Sequence, residues 1–258
     1  MKAIILAAGR GSRLWKHTRN NPKGLLEFAG KSLLEHQIQT LRGCDITDIS
    51  IVTGYMSQKI NFDKIKYYHN PNFMNTNMVQ SLFCSKKELT DDCIITYSDI
   101  LFEKSMIKKM VECKNEIGVV VDTDFEDYWR TRLGRDYIAD MESLRIEGDR
   151  IVDIGRPNVE IDKVSGRYVG AIRFSKKGIT KLITTYKNYL SKGKINFLNN
   201  REIQNWHMTD LLQDLISHGV KISPIEISRG WLEFDTENDY DIYSKWYNHN
   251  KLSKFIKI

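Results

Sequence analysis

Mostly apolar runs alternate with amphipathic segments along the chain. Each run lacks a strict alternation of polar and apolar residues, as expected for a strand covered on both faces of a parallel sheet. The β/α order predicts an α/β fold: one Rossmann-like domain over residues 1–258, in which helices flank a mixed, mostly parallel central sheet. The runs that predict its first strands are residues 3–6, 49–55, 65–69, 93–97 and 117–121.

Several segments modify this simple alternation. Two short apolar runs separated by Glu-Gly-Asp-Arg predict a small β-hairpin insertion over residues 141–154. Residues 122–136 are dense in acids, aromatics and arginines, and we expect a loop there. Residues 176–190 have the apolar period of a helix that covers the sheet. Polar residues are predicted to cap three further helices: Ser32 with Glu35, Thr209, and Thr236 with Asp239.

Composition limits the class of protein. Hydrophobic residues make up 41% and charged residues 28% of the 258 residues, which is typical of a globular protein. No apolar run reaches membrane-spanning length, so we expect a cytoplasmic protein without membrane insertion. The net charge of +6 comes from scattered lysines, without a basic stripe, which argues against nucleic-acid binding. The four cysteines form no metal-type pairs and are expected to be reduced thiols.

The first 26 residues carry the strongest chemical signal. A buried strand ends at Leu6, and small residues follow it, so that backbone amides can approach and cradle an anion. Leu14 stands where a dinucleotide-binding motif requires glycine, and a Walker A Gly-Lys-Ser/Thr is also missing. Cations complete this predicted polyphosphate site, which comprises Leu6, Ala7, Ala8, Gly9, Gly11, Ser12, Arg13 and Lys23.

The pattern L-A-A-G-x-G-x-R-L followed by N-P-K-G-L resembles the nucleotidyltransferase superfamily. The resemblance implies a nucleotidyltransferase in which Arg13 and Lys23 act on the phosphates of a nucleoside triphosphate. It also implies that Asp99 and Asp235 bind Mg²⁺, since each follows an apolar strand. Glu233, two residues before Asp235, is a candidate substitute or supporting group. Without the resemblance, a lone aspartate after a strand is more often a helix cap or turn residue than a metal ligand.

A second block points to one branch of that superfamily. The sequence from Asn72 to Leu82 is similar to the N-x-x-x-S-L segment of phosphocholine and phosphonate cytidylyltransferases, and the Q-P-x-G-L segment of the sugar enzymes does not occur. The resemblance implies CTP as the nucleotide, with Asn77 and Ser81 near its base or ribose. A helix cap at Asn77 and a space-filling role for Ser81 are the alternatives.

The acceptor is less defined by the sequence. Tyr128 and Trp129, with Trp231, could form an aromatic cage for a quaternary ammonium group. Arg130 and Arg132 argue instead for an acceptor with additional negative charge, such as a phosphorylated amino or hydroxy acid. A solvated charged loop with one anchoring aromatic residue would explain the same pattern.

These observations predict a magnesium-dependent cytidylyltransferase. It would transfer CMP from CTP to a small phosphorylated or phosphonate metabolite and release pyrophosphate, for surface-glycan or lipid decoration. One alternative is a hexose-1-phosphate nucleotidyltransferase that uses UTP or dTTP, and another is a non-catalytic nucleotide sensor. Whether the chain is a monomer or a homo-oligomer is left open.

Overall fold

The computed structural model of the chain describes residues 1–157, 159–192 and 200–258. Its strands are β1 (Lys2–Ala7), β2 (Glu27–Phe28), β3 (Lys31–Ser32), β4 (Asp48–Thr53), β5 (Lys66–His69), β6 (Cys93–Tyr97), β7 (Ile100–Phe102), β8 (Ile117–Asp122), β9 (Glu142–Glu147), β10 (Arg150–Pro157), β11 (Arg167–Phe174), β12 (Ser223–Ile227) and β13 (Trp231–Glu233). Its α-helices are α1 (Trp15–Thr18), α2 (Leu33–Arg42), α3 (Met78–Cys84), α4 (Lys104–Glu112), α5 (Phe125–Leu133), α6 (Lys176–Lys192), α7 (Met208–Ser217) and α8 (Glu237–Asn248).

Seven strands form the central sheet in the order β12-β8-β11-β6-β1-β4-β5. All neighbouring pairs are parallel except those of β11, which runs antiparallel to β6 and β8. The predicted mixed, mostly parallel sheet with flanking helices is therefore confirmed. Leu6 near the end of β1 pairs with Val52 on β4 and with Tyr97 on β6, so the carboxyl ends of these strands lie side by side.

The apolar runs are explained by a core on each face of the sheet. In β1, Ile5 packs into one core cluster while Ile4 and Leu6 pack into the other. Both faces of this strand are thus removed from water, which is why it shows no polar alternation. The residues that follow β1 emerge at the carboxyl edge of the sheet, where ligands bind in open α/β folds.

The predicted β-hairpin is present as β9 and β10, but one helix cap differs from the prediction. We expected Thr209 to cap a helix, whereas α7 begins at Met208 and His207 is the capping residue, with its N–H donating to Asp210 at 2.7 Å. Thr209 instead packs closely against the hairpin at Gly155, where an added Cβ would lie 2.6 Å from the Thr209 Cβ. The capping boxes at Ser32 and at Thr236 are confirmed.

The expectation of a loop over residues 122–136 was wrong, because α5 occupies Phe125–Leu133. Phe125, Tyr128, Trp129 and Arg132 are its buried residues, at the i, i+3, i+4 and i+7 spacing of one helix face. The apolar period of this helix was missed because its last buried position is Arg132. A charged residue is not expected on a buried face, since a buried arginine is rare without a charged partner.

A separate pair of short strands, β7 and β13, positions the segment that precedes Asp235. β13 does not join the central sheet but pairs antiparallel with β7, which follows directly after β6. The N–H of Phe234 then donates to the carbonyl of Asp99 at 2.8 Å. Two segments far apart in sequence are thereby brought together. Within the described ranges, no helix is both long and apolar enough to cross a membrane.

Candidate active site

The glycine-rich turn after β1 is held in a left-handed conformation at Gly11, whose φ is +69°. The Gly11 carbonyl accepts hydrogen bonds from the Leu14 N–H at 3.0 Å and from the Thr18 hydroxyl at 2.7 Å. These contacts fix the turn, and the neighbouring Gly9 remains open, with no atom within 4 Å of the position that a Cβ would occupy.

Gly11 also makes room for Lys23. A Cβ at Gly11 would lie 2.9 Å from the Cβ of Lys23, so Gly11→Ala is expected to combine backbone strain with displacement of that side chain. We expect G11A to lower the free energy of unfolding by about 2 kcal/mol, measured by urea denaturation of the unliganded protein. G9A is the matched control and should change stability much less. Equal losses in both variants would contradict this explanation.

Lys23 bridges the two aspartates that the sequence predicts to bind metal. Pro22 precedes it in an extended conformation, and Lys23 begins a short 3₁₀ turn. The Lys23 Nζ lies 2.6 Å from Asp99 Oδ2 and 3.1 Å from Asp235 Oδ1. Burial disfavours the ammonium charge, but these two carboxylates outweigh it and raise the pKa of Lys23, so the side chain is charged.

Arg13 joins the same cluster from the glycine-rich segment. Its NH1 lies 2.7 Å from Asp235 Oδ2, while most of its side chain, 69%, is exposed. Because the guanidinium is accessible and Lys23 is only 11% exposed, Arg13 can contact a ligand at the mouth of the site and Lys23 at its base. The structure thus brings together Arg13, Lys23, Asp99 and Asp235.

The two aspartates fit a hard divalent cation. Asp99 Oδ1 is buried and has no hydrogen-bond partner among the described residues, which leaves one carboxylate oxygen free for another ligand. Mg²⁺ commonly takes one or two carboxylates and completes its shell with phosphate oxygens and water. No cluster of three or more His, Cys, Asp or Glu residues suited to a metal occurs in the described part of the chain. A cation here would therefore depend on its nucleotide for the remaining ligands.

Two adjoining cavities meet at this cluster. The first, the Asn77 cavity, has a volume of 140 Å³, and the second, the Tyr168 cavity, has a volume of 250 Å³. They share Met78 and Tyr97 at their boundary. The predicted nucleotide residues that line the Asn77 cavity are Leu6, Ala8, Gly9, Lys23, Asn77, Ser81 and Asp99.

The remaining predicted nucleotide residues lie elsewhere. Arg13 lines the Tyr168 cavity together with Asp235. Ala7, Gly11 and Ser12 line neither cavity: Ala7 is buried in the core, Gly11 packs on Lys23, and Ser12 begins a 3₁₀ turn.

Asn77 is the helix cap that the sequence offered as one alternative, and it also faces a cavity. Its Oδ1 caps α3 by accepting the Met78 N–H at 2.8 Å, and the residue also lines the Asn77 cavity. Ser81, one turn later, receives a hydrogen bond from the buried Asn70 amide at 3.0 Å and faces the same cavity. Both residues therefore line the cavity that also reaches Lys23 and Asp99.

The residues predicted to hold the acceptor are not at a cavity. Tyr128, Trp129 and Trp231 are at most 1% exposed and belong to the core, so they cannot form an aromatic cage for a ligand in this conformation. Arg130 is exposed and pairs with Glu126 on its own helix. Arg132 is buried and pairs with acids, as described below. For the four buried residues this expectation was wrong, because the helix period of α5 turns Tyr128, Trp129 and Arg132 inward and Trp231 is buried on β13.

Other side chains form the Tyr168 cavity. Tyr97 and Tyr168 meet edge to face there, with their hydroxyls 3.3 Å apart. Glu142 and Arg167 contribute opposite charges, and His207 closes the far side. The sequence did not indicate these residues as parts of a site. Tyr97 ends β6, and Arg167 and Tyr168 begin β11.

Glu233 adds a charge to this cavity. Burial would raise the pKa of its carboxyl, but Arg132 and Arg167 lower it to about 2, so Glu233 is ionised. Its Oε2 lies 2.6 Å from Arg132 NH1. Glu233 is therefore held by Arg132 and does not replace Asp235 in the cluster around Lys23.

The arrangement defines a class of enzyme. A glycine turn, paired cations and two carboxylates at the carboxyl edge of a parallel sheet form the site of a nucleotidyltransferase. The chain belongs to the family of the MobA-like NTP transferase domain, whose model matches residues 3–154. The resemblance inferred from the glycine-rich block is thereby confirmed.

Individual relatives agree with this assignment. The chain is 30% identical to a CTP:phosphoglutamine cytidylyltransferase of Campylobacter jejuni over 94% of its own length and 98% of that protein. It is 36% identical to a choline-phosphate cytidylyltransferase of Streptococcus pneumoniae over 57% of its length and 67% of that protein. The solved structure of a CTP:phosphocholine cytidylyltransferase from Streptococcus pneumoniae matches with a TM-score of 0.73 at 21% identity, covering 95% of this chain and 98% of the other.

Proposed function

We propose that the protein is a magnesium-dependent cytidylyltransferase that joins CMP to a small phosphorylated or phosphonate acceptor. The observation that carries the proposal is the contact of Lys23 with both Asp99 and Asp235 where two cavities meet. A nucleotide in the Asn77 cavity and an acceptor in the Tyr168 cavity would place their phosphates against the same charges. The named relatives are cytidylyltransferases, which supports CTP as the nucleotide.

The reaction requires little proton transfer. An oxygen of the acceptor phosphate or phosphonate attacks the α-phosphorus of CTP, a new P–O bond forms, and the bond to the β-phosphate oxygen breaks to release pyrophosphate. The attacking oxygen is already ionised at neutral pH, so positioning and charge stabilisation account for most of the rate. Lys23 and Arg13 supply positive charge to the phosphates. Mg²⁺ held by Asp99 and Asp235 would neutralise further phosphate charge.

The carboxylates that line the Tyr168 cavity support an acceptor that carries a cation. They are Asp140, Glu142, Glu233 and Asp235. Asp235 is paired with Arg13 and Lys23, and Glu233 is paired with Arg132. Arg167 already bonds Asp140, through the main-chain oxygen at 2.9 Å and the carboxylate at 3.2 Å.

Glu142 is the carboxylate of this set that makes no direct contact with a cation in the part of the chain that the structure describes. Among the described residues, none forms a hydrogen bond or ion pair with it. Desolvation raises the pKa of its carboxyl, and the Asp140 and Glu233 charges add to this rise, which the nearby Arg167 charge only partly offsets. A cationic group on the acceptor would relieve both effects. Phosphocholine and phosphoglutamine, the acceptors in the names of the two relatives, each carry an amino or quaternary ammonium group.

Glu142→Gln tests this acceptor assignment. With 2-aminoethyl phosphate the variant is expected to lose about tenfold in kcat/KM, because one charge-assisted contact is removed. With n-propyl phosphate, which has the same size but no ammonium group, kcat/KM should change less than twofold. The measurement is pyrophosphate release at saturating CTP. A similar loss with both acceptors would argue against an ammonium site at Glu142.

The experiment that tests the function is pyrophosphate release with Mg²⁺ from CTP, UTP, GTP, ATP and dTTP. Each nucleotide is paired with phosphocholine, 2-aminoethylphosphonate, phosphorylated amino acids, glycerol phosphate and hexose phosphates. Turnover with CTP and a non-sugar acceptor is expected. Turnover only with UTP or dTTP and a hexose phosphate would replace the proposal by a sugar nucleotidyltransferase, and tight CTP binding without any turnover would indicate a nucleotide sensor.

A further inference from the structure

We propose that four buried side chains on α5 and α8 position the Asp235 carboxylate without touching substrate. These residues, Tyr128, Arg132, Asp239 and Tyr243, are called the β13 clamp because they surround the end of strand β13. The inference rests on the proposed function, in which Asp235 binds the metal ion. It gives a role to Tyr128 and Arg132, which the sequence analysis assigned to acceptor binding.

The first part of the β13 clamp holds the backbone. β13 pairs with β7 along one edge, and the peptide groups of Glu233 are bonded from the other side. The Glu233 N–H donates to the Tyr128 hydroxyl at 3.0 Å, and the Tyr243 hydroxyl donates to the Glu233 carbonyl at 3.0 Å. The two hydroxyls are 2.6 Å apart, which closes a ring of hydrogen bonds. Every donor and acceptor in this ring is satisfied.

The second part acts through charge. Arg132 Nε and NH2 lie 2.6 and 2.8 Å from the two carboxylate oxygens of Asp239, and Arg132 NH1 lies 2.6 Å from Glu233. Asp239 Oδ2 in turn accepts the Asp235 N–H at 3.0 Å and the Thr236 N–H at 2.7 Å. The guanidinium is thus connected through one carboxylate to the backbone of Asp235. Arg132 and Asp239 are at most 3% exposed.

A role in geometry explains this arrangement better than a role in stability. A buried ion pair often adds no net stability over well-packed apolar side chains, because both charges lose their hydration. It does fix distance and direction, and metal ligands must be held within a few tenths of an ångström to bind productively. The β13 clamp fixes the residues on both sides of Phe234, which bonds Asp99. It therefore sets the separation of the two carboxylates that face Lys23.

The test uses metal affinity as well as activity. Mn²⁺ binding to the full chain is measured by isothermal titration calorimetry in the presence of a CTP analogue with a methylene group between the α- and β-phosphates. We expect Arg132→Met to weaken Mn²⁺ binding by about tenfold, the size of effect seen when a residue supporting a metal ligand is removed. Arg132→Lys, which retains the charge without the forked geometry, should lose less. CTP binding in EDTA should change less than twofold, because Lys23 and the glycine turn are untouched.

Two further variants separate positioning from folding. Tyr128→Phe removes only a hydroxyl from the ring around Glu233 and tests the proposal even where R132M fails to fold. We expect Y128F to weaken Mn²⁺ binding several-fold. Leu212→Ala on α7 removes a buried side chain from the core on the other face of the sheet and is the stability control. We expect it to lower the melting temperature without changing Mn²⁺ affinity.

The outcomes distinguish the β13 clamp from the function on which it rests. Unchanged Mn²⁺ affinity in folded R132M and Y128F would overturn the β13 clamp while leaving the proposed function intact. Absence of Mn²⁺ binding in the unmodified chain would overturn both. Weaker Mn²⁺ binding with unchanged metal-free CTP binding supports the positioning role.

Discussion

Lys23→Met is expected to lower kcat for CMP transfer by about 10²–10³-fold. Lys23 is the buried cation between Asp99 and Asp235, and removing one preorganised donor from a site of charge stabilisation commonly has an effect of this size. Methionine preserves the length of the side chain but supplies neither charge nor hydrogen bonds. The measurement is pyrophosphate release at saturating CTP, Mg²⁺ and acceptor.

The same variant should respond to metal in the absence of substrate. Without Lys23, two partly buried carboxylates face each other with only Arg13 nearby, so we expect the melting temperature to fall at low metal concentration. Added Mg²⁺ should raise it more in K23M than in the unmodified protein. Lys16→Met is the matched control, since the Lys16 side chain is 76% exposed and pairs only with Glu237 at the surface. Equal loss of activity in K16M and K23M would show that the position of Lys23 is unimportant.

Asp99→Asn is expected to reduce kcat/KM by at least about 10²-fold and to raise the Mg²⁺ concentration needed for half-maximal activity. Asparagine has nearly the same shape, but its neutral amide is a poor ligand for Mg²⁺. It also removes one of the two charges on Lys23. The buried, unpartnered Asp99 Oδ1 makes this aspartate the stronger candidate ligand of the two.

The effect of Asp99→Asn should be separable from a change in folding. Its peptide carbonyl still accepts the Phe234 N–H, so the contact between the turn after β6 and the residue that follows β13 is preserved. Circular dichroism should therefore show a native fold. The variant should differ from the unmodified protein in the Mg²⁺ concentration needed for half-maximal activity. Asp91→Asn, at an exposed site two residues before β6, is the control. If D99N retains the activity and metal requirement of D91N, the metal assignment is wrong.

Local sequence patterns predicted the parts of the site that a single segment can build. The strand, glycine turn and cations of the first 26 residues lie close together in sequence, and their predicted roles follow from side-chain size and charge. The apolar runs predicted the strands of the central sheet for the same reason, because burial on both faces leaves a direct record in the sequence. Asp99 follows such a run, and the family resemblance singled it out as a candidate metal ligand.

The sequence was less informative where one residue type serves two purposes. An aromatic residue packs equally well in a core or against a ligand, so Tyr128, Trp129 and Trp231 could be assigned to the acceptor. Their burial depends on α5, whose apolar face is interrupted by Arg132. That arginine is tolerated only because Glu233 and Asp239, from a distant part of the chain, neutralise it. No local pattern contains this information.

By itself, therefore, the sequence determined the α/β class and the glycine-rich turn, and its resemblance to a known family singled out the four charged residues of the central cluster. Only the tertiary structure decided that β13 pairs with β7, so that Asp235 reaches Asp99 and Lys23, and that Tyr97, Glu142, Tyr168 and His207 form the second cavity. The physical reason is the range of the interactions. Turns, caps and strand burial are recorded over a few neighbouring residues, whereas ion pairs and cavities depend on side chains that meet only after the chain has folded.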